Sequence, residues 1–162
     1  MVVIDVSTRQ VRIAGVSATP HGAWVEQIAR HLADPIDGFL RSKRFLIHER
    51  DPLFTEKFRR VLQARGIDAV GLPPKSPNLK AYAERFILSI KSECLDRVIL
   101  FGETHLRYVL SEYLGHYHRE RNHQGLENRL ILGERKSAAA MGRVVRRPRL
   151  GGLLNYYRRE AA

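Results

Sequence analysis

Two glutamates stand at positions where carboxylates can do chemistry. Glu49 directly follows the apolar run "FLIH", and Glu84 lies near the start of a helical pattern further along the chain. Hard cations such as Mg²⁺ take carboxylate oxygens, and two such ions about 4 Å apart promote in-line phosphoryl transfer. We therefore consider a Mg²⁺ or Mn²⁺ site at one sheet edge, against the alternative that both glutamates are ordinary surface charges.

The charge balance favours a polyanionic partner. Lys and Arg outnumber Asp and Glu by 28 to 17, which gives a formal charge of +11 and a pI near 10.4. Most of these cations are Arg, whose planar fork contacts phosphate oxygens in pairs. Self-repulsion on this scale is relieved by nucleic acid, so DNA is the expected partner. The alternative is an ordinary basic protein.

Length and composition favour one cytoplasmic domain. A chain of 162 residues is in the usual range for one domain, and no stretch approaches the roughly 20 apolar residues of a membrane helix. The start "MVVIDVSTRQ" lacks the basic region of a signal peptide.

A single cysteine excludes an internal disulfide and a cysteine-based zinc site, so Cys94 is expected to be a small buried hydrophobe.

The positions of apolar residues predict strands that alternate with helices. The predicted elements are two antiparallel strands in residues 2–16, a helix over 22–33, the strand "RFLIH", a helix from Thr55 to Gly66, the strand "IDAVGL", a loop "PPKSPN", a helix over 79–95 and a helix capped by Thr104. A basic, partly ordered tail follows. The fold class is α/β, with a mixed sheet flanked by helices.

Three stretches carry a family resemblance. "HERDPLFT", "LPPKSPNLKAYAERFILSIKSECLDRVILFGETHLR" and "HYHRERNHQGL" together resemble the integrase catalytic core of bacterial insertion-sequence transposases, relatives of retroviral integrases. The resemblance divides the chain into a core-like domain at 1–132 and a basic C-terminal tail at 133–162. It implies a ribonuclease-H-like fold and metal-dependent DNA strand transfer, in which an Asp, Asp, Glu triad holds two Mg²⁺ ions.

The resemblance assigns the two glutamates and also shows a departure. Glu84, in "AYAERF", matches the triad's glutamate, whereas Glu49 stands where the family has its second aspartate. The added methylene moves the carboxylate by somewhat over 1 Å, and such a misplacement can cost about a hundredfold in rate. Asp51, two residues on, is expected to be structural.

The family's first aspartate lies on a strand before the one that "VVIDVSTRQVRIAGV" resembles, so the first strand is expected to be missing. Asp5 is expected to accept hydrogen bonds near the hairpin turn rather than to bind metal. Two of the three metal-binding carboxylates are then compromised. The expected catalytic activity is therefore weak or absent.

Basic and polar residues around Glu84 are candidates for DNA contacts. The resemblance implies that Lys75, Lys80, Arg85 and Lys91 contact DNA phosphates, with solvated helix charges as the alternative. Arg121, His123 and Gln124 are expected at the rim of the catalytic cleft. A zinc site at His116, His118 and His123 is the less favoured reading, because no Cys partners them.

Two functional hypotheses follow. The first is an integrase-type transposase core that joins DNA strands with Mg²⁺ or Mn²⁺ held by Glu49 and Glu84. The second is a catalytically silent remnant of a mobile element that binds DNA or pairs with a full-length transposase. A ribonuclease of related fold leaves two of the three stretches unexplained.

Clustered Arg with Tyr156 and Tyr157 in the tail suits phosphate contact and base stacking. We expect a cytoplasmic, nucleoid-associated protein that acts alone, as a homo-oligomer or with a full-length transposase, and that has no membrane partner.

Overall fold

The computed structural model describes residues 1–73, 77–133 and 142–160, with the backbone alone for 77–80. Its strands and helices are β1 (Val2–Ile4), β2 (Val11–Ile13), α1 (Gly22–Leu32), β3 (Phe45–His48), α2 (Glu56–Gln63), β4 (Asp68–Gly71), α3 (Pro77–Glu93), α4 (Gly102–Arg119), β5 (Val144–Arg149) and β6 (Leu154–Arg159). In these ranges no helix is both long and apolar enough to cross a membrane.

The chain divides into two compact units. The first unit comprises Met1–Val3 and Arg12–Ala81, and the second comprises Ile4–Val11 and Tyr82–Ala162. The boundary therefore falls inside α3, and the turn between β1 and β2 is grouped with the second unit.

In the first unit, β3, α2 and β4 form a strand-helix-strand motif. The two strands pair in parallel, with Phe45 opposite Asp68 and His48 opposite Gly71. Thr55 caps α2 as predicted, because its Oγ1 accepts a hydrogen bond from the backbone N–H of Phe58 at 3.4 Å. Gly66 follows the helix at φ 71°, a conformation that glycine adopts without the steric cost of a Cβ. The predicted start of the helix is therefore confirmed, whereas the helix ends at Gln63, three residues before Gly66.

The core of the first unit forms where α1 and α2 pack together. Helix α1 buries one stripe at helical spacing, and α2 buries Phe58 and Leu62 completely. The buried cluster contains Val3, Val25, Ile28, Ala29, Leu32, Ala33, Leu40, Leu46, Phe58, Leu62 and Ile67. Burial of these apolar side chains is the main stabilising term for this unit.

The sheet arrangement differs from the single mixed sheet that the sequence predicts. The described residues form three separate two-stranded sheets, β1 with β2, β3 with β4, and β5 with β6. In β3, Leu46 and His48 are buried while Phe45 and Ile47 are exposed, so the apolar run is buried on one face only. Alternating apolar residues identify strands but not their partners. The mixed α/β class is confirmed, and the ribonuclease-H-like arrangement stays a prediction.

The second unit is built around aromatic contacts between α3 and α4. Phe86 of α3 meets the rings of Tyr113 and Tyr117 of α4 edge-on, with centroid distances of 6.2 and 5.0 Å. Edge-to-face geometry suits the ring quadrupoles and adds to the area burial. Cys94 is fully buried beyond the end of α3, which confirms the prediction of a small buried hydrophobe.

Helix α4 begins earlier than the sequence predicts. Its N-cap position is Phe101, and Thr104 lies inside the first turn, so the predicted Thr104 cap is wrong. The Nδ1 of His105 accepts a hydrogen bond from the Phe101 N–H at 3.1 Å and satisfies one of the free amides at the helix start. The side-chain contact at this helix start therefore comes from a ring nitrogen inside the helix and not from a hydroxyl at its N-cap.

Residues 144–159, which the sequence placed in a basic tail, form an antiparallel hairpin. Strands β5 and β6 pair over their full length, from Val144 opposite Arg159 to Arg149 opposite Leu154. The connection contains Gly151 and Gly152 at φ 65° and 97°, where an L side chain would be strained. We call this element the C-terminal hairpin.

Phe58→Ala tests the core of the first unit. Because Phe58 is fully buried in the α2 core, we expect the free energy of unfolding to fall by about 3–5 kcal/mol. Urea denaturation followed by circular dichroism measures this change. Lys57→Ala, an exposed neighbour on the same helix, is the control and should change stability by less than about 0.5 kcal/mol.

Candidate functional site

Glu49 lies in the first unit, immediately after β3, and its side chain is exposed. The preceding His48 is buried, and its Nδ1 lies 2.7 Å from the backbone oxygen of Glu49. Since a carbonyl oxygen only accepts, His48 must carry its proton on Nδ1. This hydrogen bond fixes the backbone at Glu49.

A cavity of about 590 Å³ opens beside this position in the first unit. Its lining includes His48, Arg50, Asp51, Phe54 and Arg59. Arg50 is held by a hydrogen bond from its Nε to the backbone oxygen of Leu72 at 2.8 Å. Two arginines against one aspartate favour an anion in this cavity.

Asp51 and Asp5 both act as local structural acceptors, as the sequence predicts. The Oδ1 of Asp51 accepts from the Leu53 N–H at 2.8 Å. The Oδ1 of Asp5 accepts from the N–H and the hydroxyl of Ser7 at 2.9 and 2.7 Å, which supports the turn between β1 and β2.

Glu84 lies in the second unit, on the exposed side of α3. Leu88 and Lys91 follow it at helical spacing on the same stripe and are also exposed, whereas Phe86 and Ile90 point into the core. Arg85 is exposed next to Glu84. The helix therefore presents one carboxylate with two cations to solvent.

The type of side chain at positions 49 and 84 favours metal binding, whereas the spatial grouping of the described side chains does not. Exposed carboxylates such as Glu49 and Glu84 are the ligand type that Mg²⁺ and Mn²⁺ prefer. Within the described ranges, however, no three His, Cys, Asp or Glu side chains are grouped so that they could hold an ion. Glu49 and Glu84 belong to different units. Metal ligation by this pair is therefore a prediction, and we derive no catalytic step from it.

Arg121, predicted to contact DNA, is engaged inside the second unit. Its Nη2 and Nε donate to the two carboxylate oxygens of Glu93 at 2.7 and 3.1 Å, and Tyr113 donates its hydroxyl to the same carboxylate at 3.1 Å. These hydrogen bonds raise the pKa of the Arg121 guanidinium. A DNA contact by Arg121, which stays a prediction, would have to share or break this bidentate pair.

The three histidines of "HYHRERNH" each have a separate protein partner. His116 Nδ1 pairs with Glu120 at 3.2 Å, His118 Nε2 accepts from the Val11 N–H at 3.0 Å, and His123 Nε2 donates to the Tyr117 backbone oxygen at 2.7 Å. Burial lowers the pKa of His118 and of His123, so both are neutral at pH 7. They do not form the zinc cluster that was the less favoured reading, and the predicted DNA contact of His123 would have to reach a buried ring.

Two of the predicted DNA contacts fall on parts of the chain that are not described. Lys75 lies outside the described residues. Lys80 lies in α3, but its side chain is outside what the structure describes. Their proposed phosphate contacts stay predictions from the resemblance.

A buried ion pair that sequence reasoning missed fixes the C-terminal hairpin to α4. Arg149 of β5 donates from Nε and Nη2 to the two oxygens of Glu120, both at 2.8 Å, and from Nη1 to Glu112 at 3.2 Å. The Glu120 side chain is only 3% exposed. Burial alone favours its neutral form, but hydrogen bonds from Arg149 and His116 outweigh this and lower the pKa of Glu120 below its ordinary 4.5. The sequence signal was a glutamate and an arginine 29 residues apart, which no local pattern connects.

Glu120→Gln tests this ion pair. A lowered pKa in the folded state contributes stability that is present above about pH 4.5 and is lost as the pH falls through the folded value. At pH 7 we expect the variant to be less stable by about 3–5 kcal/mol, because Arg149 loses its buried partner. The difference from the unmodified chain should shrink as the pH falls below the ordinary carboxyl pKa of 4.5, measured by urea denaturation at each pH.

The control for Glu120→Gln is Glu103→Gln, an exposed glutamate of α4 paired with Arg107. This variant should be within about 0.5 kcal/mol of the unmodified chain at pH 7. A constant difference between Glu120→Gln and the unmodified chain from pH 7 to pH 3 would contradict the proposed ionised pair.

Comparison with known proteins finds one match. Residues 65–130 match the family model described as the integrase core domain, while no curated protein and no solved structure matches the chain. The matched segment contains Glu84 and Arg121, and it excludes Glu49 and the C-terminal hairpin. This part of the chain is therefore similar to an integrase core, which indicates a function in DNA integration or transposition.

Proposed function

We propose that the chain is a core of the insertion-sequence transposase type, built for DNA strand transfer by a metal-dependent carboxylate site. The observation that carries the proposal is the integrase-core match over residues 65–130. Within that segment, Glu84 stands on the exposed side of α3 and is available to an incoming ligand. The earlier stretch "HERDPLFT" lies outside the matched segment, so its part in the proposal rests on the resemblance alone.

In this proposal Glu49 and Glu84 are the carboxylate ligands of Mg²⁺ or Mn²⁺. The ion, when bound, would supply Lewis acidity toward the phosphodiester. The chain's own contribution is to hold Glu49 and Glu84 at exposed positions and to place cations beside Glu84, where Arg85 and Lys91 can attract phosphate. Glu49 is longer than the family's aspartate, so we propose that strand transfer by this chain is weak.

A second candidate function is a catalytically inactive remnant that binds DNA or pairs with a full-length transposase. Two observations favour it: the glutamate at position 49, and the lack of a three-donor metal group within the described ranges. For either function we propose that the protein acts on DNA at the nucleoid, alone, as a homo-oligomer or with a full-length transposase.

Metal titration separates the two candidates. Calorimetry with Mg²⁺ and Mn²⁺ on the unmodified chain should show saturable binding that is lost in Glu84→Ala. The control is Glu103→Ala, an exposed glutamate in the same unit, which should bind metal as the unmodified chain does. Absence of saturable binding to the unmodified chain would instead support the inactive remnant, and assays of strand transfer would then be expected to show no product.

The salt dependence of duplex binding tests the DNA-contact role of α3. With a net charge of +11, affinity should fall steeply as salt rises. The double variant Arg85→Gln with Lys91→Gln removes two proposed phosphate contacts, so the slope of log affinity against log salt should decrease in magnitude by about 1.8. Fluorescence anisotropy with a labelled duplex measures the slope.

The matched control for this measurement removes two exposed cations of α2, Lys57→Gln with Arg60→Gln. It changes the net charge by the same amount and should leave the slope within about 0.5 of the original. Equal slopes for the two double variants would rule out a specific role for α3.

A further inference from the structure

The two faces of the C-terminal hairpin have different surroundings. In an antiparallel pair, directly opposite residues lie on the same face and successive residues alternate. The observed register therefore puts Val145, Arg147, Arg149, Leu154, Tyr156 and Arg158 on one face, and Val144, Arg146, Pro148, Asn155, Tyr157 and Arg159 on the other. We call these the inner face and the outer face.

The inner face is anchored within the second unit. Arg149 is held by Glu120 and Glu112 of the α4 region, Leu154 is buried, and Arg147 lies 3.5 Å from Glu120. These contacts engage all three nitrogens of the Arg149 guanidinium. The hairpin is therefore fixed by one face, which leaves the other directed outward.

The outer face combines two arginines with an exposed aromatic ring. Arg146 lies directly opposite Tyr157, and Arg159 lies two residues beyond Tyr157 on the same strand, about 7 Å along it. Tyr157 is 60% exposed and Val144, opposite Arg159, is 53% exposed. The strand geometry thus places an exposed ring next to two cations.

The two arginines are held in place without being neutralised. Arg146 donates from Nε to the Oδ1 of Asn155 at 2.7 Å, and Arg159 donates from Nη1 to the backbone oxygen of Gly142 at 3.0 Å. Neither has a carboxylate partner within the described ranges, whereas Arg149 pairs with Glu120 and Glu112, and Arg121 pairs with Glu93. Their positive charge is therefore available to an anion.

We propose that the outer face of the C-terminal hairpin is a binding site for single-stranded DNA. The guanidinium groups of Arg146 and Arg159 bind successive phosphates, and the ring of Tyr157 stacks on an unpaired base. Stacking on an exposed ring requires a free base face, which the interior of a duplex does not offer. The site lies outside the integrase-core match and does not depend on a bound metal.

The charge pattern favours a nucleic acid over an acidic protein. An acidic peptide would satisfy the two arginines but would leave Tyr157 without a matching partner. A stack of a base on a tyrosine between two cations uses all three groups, and it tolerates any sequence because every base has a π-face. We therefore expect binding with little sequence preference.

The test is fluorescence anisotropy of the full chain with a labelled oligothymidylate about 12 nucleotides long, with a metal chelator present. Tyr157→Val keeps a strand-forming residue but removes the ring, and it should weaken binding about tenfold or more. Tyr157→Phe keeps the ring and should bind within about twofold. Arg146→Gln with Arg159→Gln should reduce the magnitude of the salt slope by about 1.4.

The controls are Tyr108→Leu, an exposed tyrosine of α4, and Arg60→Gln with Arg65→Gln, two exposed cations of the first unit. Both should bind the oligothymidylate as the unmodified chain does, and so should Glu84→Ala, which separates this site from the proposed catalytic function. Equal effects of Tyr157→Val and Tyr157→Phe would overturn the proposal. The proposal would also be overturned if a duplex or an RNA oligomer of equal length bound more tightly than the oligothymidylate and Tyr157→Val did not change that binding.

Discussion

The paired carboxylates of the second unit are the constraint on which its arrangement depends. Glu120 is almost fully buried and accepts two hydrogen bonds from Arg149, which ties β5 to the end of α4. Glu93, at the end of α3, binds Arg121 beyond α4 in the same bidentate way. A buried charge is tolerated only when it is paired and hydrogen-bonded, so each pair fixes two segments at one distance and one orientation.

This constraint divides the arginines of a strongly basic chain into two groups. Arginines held by buried or half-buried carboxylates, such as Arg121 and Arg149, stabilise the second unit. Arginines on exposed surfaces, such as Arg85 on α3 and Arg146 on the outer face of the hairpin, keep their charge for an external anion. A net charge of +11 therefore describes a protein in which only part of the positive charge is available to an external anion.

The local elements could be predicted because short-range rules decide them. Thr55 caps α2, Gly66 follows its end at positive φ, and Asp5 supports the hairpin turn, all through contacts between residues close in sequence. The predicted Thr104 cap was wrong because α4 begins at Gly102, with Phe101 at the N-cap position, so Thr104 already lies inside the first turn. The pairing of β1 with β2 could be predicted because a short turn joins them, whereas the division into three separate sheets could not, since alternation of apolar residues does not specify a partner.

The sequence by itself determined the positive charge, the order of helices and strands, and a segment similar to an integrase core at 65–130. Only the tertiary structure decided which charged side chains are paired with other side chains of the protein. Arg121 and Arg146 have the same chemistry, but one faces Glu93 and the other faces solvent beside Tyr157. That difference arises from contacts between residues distant in sequence, whose energies depend on burial and geometry rather than on residue type alone.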